Sequence, residues 1–295
     1  MKPLLLFLKG VAMGAANVIP GVSGGTVAFI TGIFERLIAA IKAIDLAALR
    51  LFFTGKWKSF AEKIDLAFLF WIFLGVGVSI FSLAKGLEWA LLNQEILTLA
   101  LFFGLILASI LGIGKEIKKY DTITTLSATI GCLIAIVIAF LPPAQPNAAI
   151  WYVFLCGIVA VCSMILPGLS GSYILLLMGN YALVLSAIYR LDFGILIPLL
   201  LGAVVGLVFF SRLLSWLFQK NQNATVSLLT GFVTGSLLII WPWKKEIFAL
   251  FEGKEKVVGY DWYFPSIDGH FFMALGLCLI GFLLVWWLGR FSPAK

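Results

Sequence analysis

The sequence predicts an all-α polytopic membrane protein, an inverted-topology internal repeat in which each half is one re-entrant helical hairpin plus three transmembrane helices. Three observations carry this. The chain of 295 residues is 62% hydrophobic and 12% charged, whereas soluble domains carry roughly 25% charged residues. A Pro-Gly break inside an apolar run occurs twice, about half a chain apart. The Lys and Arg residues gather at the ends of alternate apolar runs, as orientation in a bilayer requires.

The first break is Asn17-Val18-Ile19-Pro20-Gly21-Val22-Ser23-Gly24-Gly25-Thr26, and the second is Met164-Ile165-Leu166-Pro167-Gly168-Leu169-Ser170-Gly171-Ser172-Tyr173. They lie 147 positions apart (167 − 20), and Gly32 and Gly179 keep the same offset. Leu4–Asn17 is 14 residues, about 21 Å of helix, and Gly24–Phe34 adds about 16 Å. Neither crosses a ~30 Å hydrocarbon core. The expectation is therefore a hairpin over 4–34, and a second over 151–189. Backbone that leaves helical pairing inside a membrane must line a cavity or be buried in protein. Paired interruptions at corresponding positions of two halves mark a site at the repeat interface.

Residues 35–65 mix Arg36, Lys42, Arg50, Lys56, Lys58 and Lys63 with Leu46, Leu49, Phe52, Phe53 and Trp57, the pattern of a surface-lying segment. Spans are expected at 66–84, 96–113 and 123–141, with a connection over Lys85–Glu95. The first repeat is 1–147. In the second, 148–295, spans are expected at 194–212, 225–241 and 271–289. At an offset of 127, Asp65, Gly75, Lys85, Gly104 and Ser109 align with Asp192, Gly202, Arg212, Gly231 and Ser236. At 146, Ala128 and Cys132 align with Ala274 and Cys278.

One hairpin and three spans make an odd number of crossings, which inverts the second half. With both termini in the cytoplasm, 15 of the 21 Lys and Arg fall inside and 6 outside, in keeping with the positive-inside rule. No basic stripe interleaved with aromatics appears, so nucleic acid is not an expected partner. Cys132, Cys156, Cys162 and Cys278 lie in apolar runs without metal-ligand spacing, and no metal or cofactor is expected. His270 is read as a loop or interface residue. No catalytic residue is assigned.

Helix N-termini carry unpaired N–H groups and a partial positive charge. Ser23 and Ser170 are preferred capping residues at the start of each second half-helix. Two such ends meeting near the midplane form an anion site from neutral groups. The candidate binding residues are Asn17, Gly21, Ser23, Gly24, Gly25, Thr26, Gly168, Ser170, Gly171, Ser172 and Tyr173. Arg36, Lys85 and Arg212 are candidate phosphate-capture cations at the two mouths.

The doubled motif resembles that of a bacterial membrane family described as polyprenyl-phosphate (undecaprenyl-phosphate) translocases, and the resemblance covers essentially the whole chain. It implies return of the lipid-carrier phosphate from the outer to the inner leaflet of the cytoplasmic membrane, for reuse in peptidoglycan and other envelope glycans. The lipid and the bilayer are then the partners. One alternative is a small-anion transporter with a broken-helix site. A second is an undecaprenyl-diphosphate phosphatase, whose hairpin resembles Pro-Gly-x-Ser-Arg-Ser-x-x-Thr. Here Gly24 and Gly25 follow Ser23, the Arg is missing, and the first hairpin has no acid before Glu35. Phosphoryl chemistry would lack its electrostatic stabilisation, so an enzyme is not expected.

Overall fold

The computed structural model describes residues 2–18, 23–114, 117, 119–251 and 254–290. Among them are fourteen helices and one β-hairpin. Helix α1 (Pro3–Val18) leads to the short α2 (Gly24–Ile30) and α3 (Phe34–Lys42). Helices α4 (Leu46–Phe53) and α5 (Trp57–Lys63) follow, then α6 (Leu66–Asn93), α7 (Glu95–Gly114) and α8 (Thr122–Phe140). The second half runs α9 (Ile150–Ile165), α10 (Gly171–Leu177), α11 (Tyr181–Arg190), α12 (Phe193–Lys220) and α13 (Gln222–Ser236). Strands β1 (Lys244–Phe251) and β2 (Lys254–Trp262) pair antiparallel before α14 (Gly269–Arg290).

Five helices, in α6, α7, α8, α12 and α14, are long and apolar enough to cross a membrane, and the count rises to seven if each bent pair is one span. Their outward faces carry Phe70, Phe73, Phe81, Leu126, Leu133, Leu200 and Val204, all exposed. An apolar surface of that extent is stable only against lipid.

Helices α6 and α12 are each 28 residues long, about 42 Å, which exceeds a ~30 Å core by about two turns. The expected connection over Lys85–Glu95 is therefore corrected: the chain stays helical to Asn93. Residues 225–241 were expected as one span, but α13 starts at Gln222 and gives way to turns after Ser236.

The helices pack in pairs, α1 along α6 and α9 along α12, α7 along α14 and α13 along α8. Glycine makes each approach possible. A Cβ at Gly10 would run into the Ile72 carbonyl and one at Gly75 into the Phe7 carbonyl. In the other half, Gly157 meets the Leu199 carbonyl and Gly202 the Phe154 carbonyl in the same way. Gly131 on Leu228 and Gly231 on Ala128 join α8 to α13, while Gly104 on Cys278 and Gly281 on Leu101 join α7 to α14. Small residues let backbones close where lipid supplies no hydrophobic drive.

Beyond the two Pro-Gly breaks lie two sharp bends. The axes of α2 and α3 meet at 117°, and those of α10 and α11 at 113°. Gly32 and Gly179 turn the chain there with φ of +69° and +74°, a region open to glycine without strain. Residues 171–189, long enough to cross as a straight helix, thus do not form one.

Each bend exposes a carbonyl that a side chain of the preceding helix covers. Lys9 Nζ of α1 donates to the Thr31 carbonyl, and Tyr152 Oη of α9 donates to the Met178 carbonyl at 2.9 Å. Thr31 and Met178 are 147 positions apart (178 − 31), the offset of the motifs. The main core then joins both halves, with Phe29, Ile33, Phe34, Phe68 and Ile72 packed with Ile165, Leu214 and Leu229.

Candidate functional site

The two breaks meet inside the protein. Ser23 caps α2 by accepting from the Gly25 N–H at 3.1 Å. Its hydroxyl donates across to the Met164 carbonyl at 3.2 Å. In return, Gly168 N–H donates to Thr26 Oγ1 at 2.8 Å. Residues some 140 positions apart therefore hold each other, with Ser23 2%, Thr26 1% and Ser170 8% exposed.

Close backbone approach makes the contact possible. A Cβ on Gly25 would sit 2.8 Å from the Ile165 carbonyl and 3.0 Å from that of Met164. One on Gly168 would sit 2.8 Å from the Phe232 carbonyl and from Ser236 Oγ. Nothing larger than glycine fits at either place without backbone movement.

The donors of the two tips differ. Asn17 Oδ1 accepts from the Gly24 N–H at 2.7 Å, so with Ser23 on Gly25 the first two N–H groups of α2 are taken. In α10, Ser170 Oγ accepts from the Tyr173 N–H at 3.1 Å and lies 3.2 Å from Ser172 Oγ. Among the described residues no acceptor faces the N–H groups of Gly171 and Ser172. The first tip thus has its leading N–H groups occupied, while those of the second have no acceptor among the described residues. Tyr173 points away from the contact, its Oη 3.4 Å from the Ala139 carbonyl.

Ten of the eleven expected tip residues lie on this locus or its flanks, and Gly21 lies outside the described residues. The expected cations lie elsewhere. Arg36 donates from Nε and Nη2 to both carboxylate oxygens of Asp65, at 2.6 and 3.1 Å, with its guanidinium over the Phe68 ring. Its charge is already matched. Lys85 and Arg212 are exposed on α6 and α12 and have no ion-pair partner among the described residues. Each is eight residues from its helix end (93 − 85 and 220 − 212).

Ser236, which lies over Gly168, was not among the expected site residues, and neither were the Met164 and Ile165 carbonyls. Ser236 did carry a signal: it aligns with Ser109, and both are buried. The carbonyls carried none, because their role follows from a contact between distant segments. No group of three or more potential metal ligands occurs among the described residues.

Apolar crossing helices, two bent helix pairs and hydroxyl-capped breaks buried against one another define a polytopic membrane protein of the broken-helix type. Comparison with known proteins narrows this. Residues 13–257 match the family described as undecaprenyl phosphate translocase-like, and the chain belongs to that family. It is 41% identical over 247 residues to a polyprenyl-phosphate transporter of Vibrio cholerae, an alignment spanning 84% of this chain and 80% of the relative. A polyprenyl-phosphate transporter of Staphylococcus aureus is 31% identical over 304 residues, covering 97% of this chain and 95% of the relative. No solved structure matches.

Proposed function

We propose that this protein moves undecaprenyl phosphate from the outer to the inner leaflet of the bacterial cytoplasmic membrane, holding the phosphate at the paired breaks. One observation carries the reading: the duplicated motifs bond to each other, Ser23 to Met164 and Gly168 to Thr26, so they form one locus and not two. A phosphate there faces the N–H groups of Gly171 and Ser172 and the hydroxyls of Ser170 and Ser172. The start of α2 becomes available once Asn17 releases Gly24. Helix starts suit an anion, and neutral donors let it leave again.

The matched packing of α1 on α6 with α9 on α12, and of α7 on α14 with α13 on α8, supports reading the halves as inverted repeats. In that reading the hairpins enter from opposite faces and both termini are cytoplasmic, which agrees with the charge bias. Lys85 and Arg212 then stand at opposite mouths and capture the headgroup. The protein carries out no phosphoryl chemistry. The names of the two relatives support the substrate class.

Leaflet-resolved assay of a fluorescent polyprenyl phosphate in proteoliposomes tests this. The expected result is protein-dependent movement of the lipid, with no chloride flux and no inorganic phosphate released from undecaprenyl diphosphate. Chloride flux without lipid movement favours the small-anion reading. Saturable phosphate release overturns the non-enzymatic one.

A further inference from the structure

The segment α4–α5 has no counterpart in the second half, and the fold does not need it for its core. Only Ala48 of α4 is buried, and no residue of α5 is. Its side chains nevertheless form a platform. Phe52 packs edge-on against Phe53, Trp57 and Phe60, with ring centroids 5.5, 4.5 and 5.3 Å away. Leu46, Phe53 and Trp57 remain 84%, 81% and 57% exposed. Around them stand Arg50, Lys56 and Lys58, exposed and without an ion-pair partner among the described residues.

The acids nearby do not offset these cations. Asp45 is bound to Lys63 at 2.9 Å and Asp65 to Arg36 at 2.6 Å, which leaves Glu62 against three free positive charges. The chain passes from α5 through Asp65 directly into α6, so the platform lies where a crossing helix enters the bilayer.

We infer that α4–α5 is a binding surface for the anionic headgroups of the adjoining leaflet, with Leu46, Phe53 and Trp57 seated among acyl chains and Arg50, Lys56 and Lys58 on lipid phosphates. Aromatic residues favour the interfacial depth, and a cluster of cations beside a membrane helix attracts acidic lipid. The occupant follows from charge. A neutral partner would satisfy the rings and leave the cations unmatched. The inference does not depend on what the paired breaks carry.

The test places a bimane label at Ser59→Cys in a full-length chain whose four native cysteines are replaced. The vesicles mix phosphatidylcholine and phosphatidylglycerol, with a doxyl quencher on one lipid or the other at equal amounts. The expected result is stronger quenching by the phosphatidylglycerol quencher. In the Arg50→Gln, Lys56→Gln, Lys58→Gln triple variant that preference is lost, on the order of 100-fold in the lipid exchange constant at about fivefold per cation. Elution as a single species and an unchanged helical spectrum verify that the variants fold. Equal quenching by both lipids in the parent chain overturns the anionic assignment. Quenching by neither, or disulfide cross-linking of two unlabelled Ser59→Cys chains in the same vesicles, overturns the lipid surface itself.

Discussion

Ser23 and Ser170 occupy corresponding places but do different work. Ser23 links the halves through Met164, whereas Ser170 turns toward Ser172 and its own helix. Each loses one capping hydrogen bond on change to alanine, worth about 1 kcal/mol. Phosphate binding should weaken about fivefold in Ser170→Ala, whose hydroxyl faces the phosphate, and less in Ser23→Ala, whose hydroxyl is held by Met164, measured by competition with inorganic phosphate. Ser23→Ala should also lower thermal stability more, because only Ser23 joins the halves. Glycine changes separate further. At Gly24 the nearest atoms to an added Cβ belong to the Asn17 side chain, at 2.8 Å, and that amide can rotate away. At Gly25 they are backbone carbonyls. Gly25→Val should abolish transport in folded protein, while Gly24→Ala retains a measurable rate. The sequence marked these glycines as one group; the distinction depends on what each faces, which only the fold supplies.

The helices repeat their contacts down to single glycines, and this yields a paired prediction. Gly10→Ala and Gly157→Ala each push a methyl group into a carbonyl of the partner helix, Ile72 and Leu199 respectively. Overpacking of this kind costs about 1–3 kcal/mol, so both variants should unfold earlier in denaturing detergent, by similar amounts. Gly77→Ala and Gly112→Ala meet nothing within 4 Å and should be neutral or slightly stabilising, since alanine favours helix by about 1 kcal/mol. Gly75 and Gly202 were legible as a pair through their offset of 127, whereas Gly10 and Gly157, which lie 147 apart, were not singled out. Gly32 and Gly179 aligned equally well, yet their turn of more than 110° was not legible, because a glycine inside an apolar run reads equally as packing. The β-hairpin was missed for another reason. Its strands lie in a charged stretch after the last turns of α13, where loop and strand share the same composition.

Across the whole molecule, an inverted repeat needs the two hairpins to open on opposite faces. Single cysteines at Ser59 and Lys254, in a cysteine-free background, should react with impermeant maleimide only from the cytoplasmic side and only from the outer side, respectively. Labelling of both from one side contradicts the inverted repeat. Five of the six expected crossing helices were legible from apolar length, because lipid imposes one solution on any 20-residue apolar run; the sixth, over 225–241, corresponds to the shorter α13. The meeting of the motifs was legible only as a duplication. Thr26 and Gly168 are 142 positions apart, and nothing local records that one accepts from the other.

The central claim is that backbone and hydroxyl groups of the paired breaks carry the phosphate, while cations at the mouths only admit it. The most direct measurement is the initial rate of polyprenyl phosphate movement between leaflets in proteoliposomes. Gly25→Val, Gly171→Val, Lys85→Gln and Arg212→Gln proteins, each verified as folded and inserted, are compared with the parent chain. No transport is expected in the glycine variants. A Cβ on Gly171 lies 2.6 Å from Met164 and 2.9 Å from the Ala160 carbonyl, and a branched side chain there closes the site. Slowed but persistent transport is expected in the lysine and arginine variants. Normal rates with Gly25→Val and Gly171→Val, together with loss of transport in Lys85→Gln or Arg212→Gln, would mean that the phosphate travels on the side-chain cations and that the paired breaks are only structural.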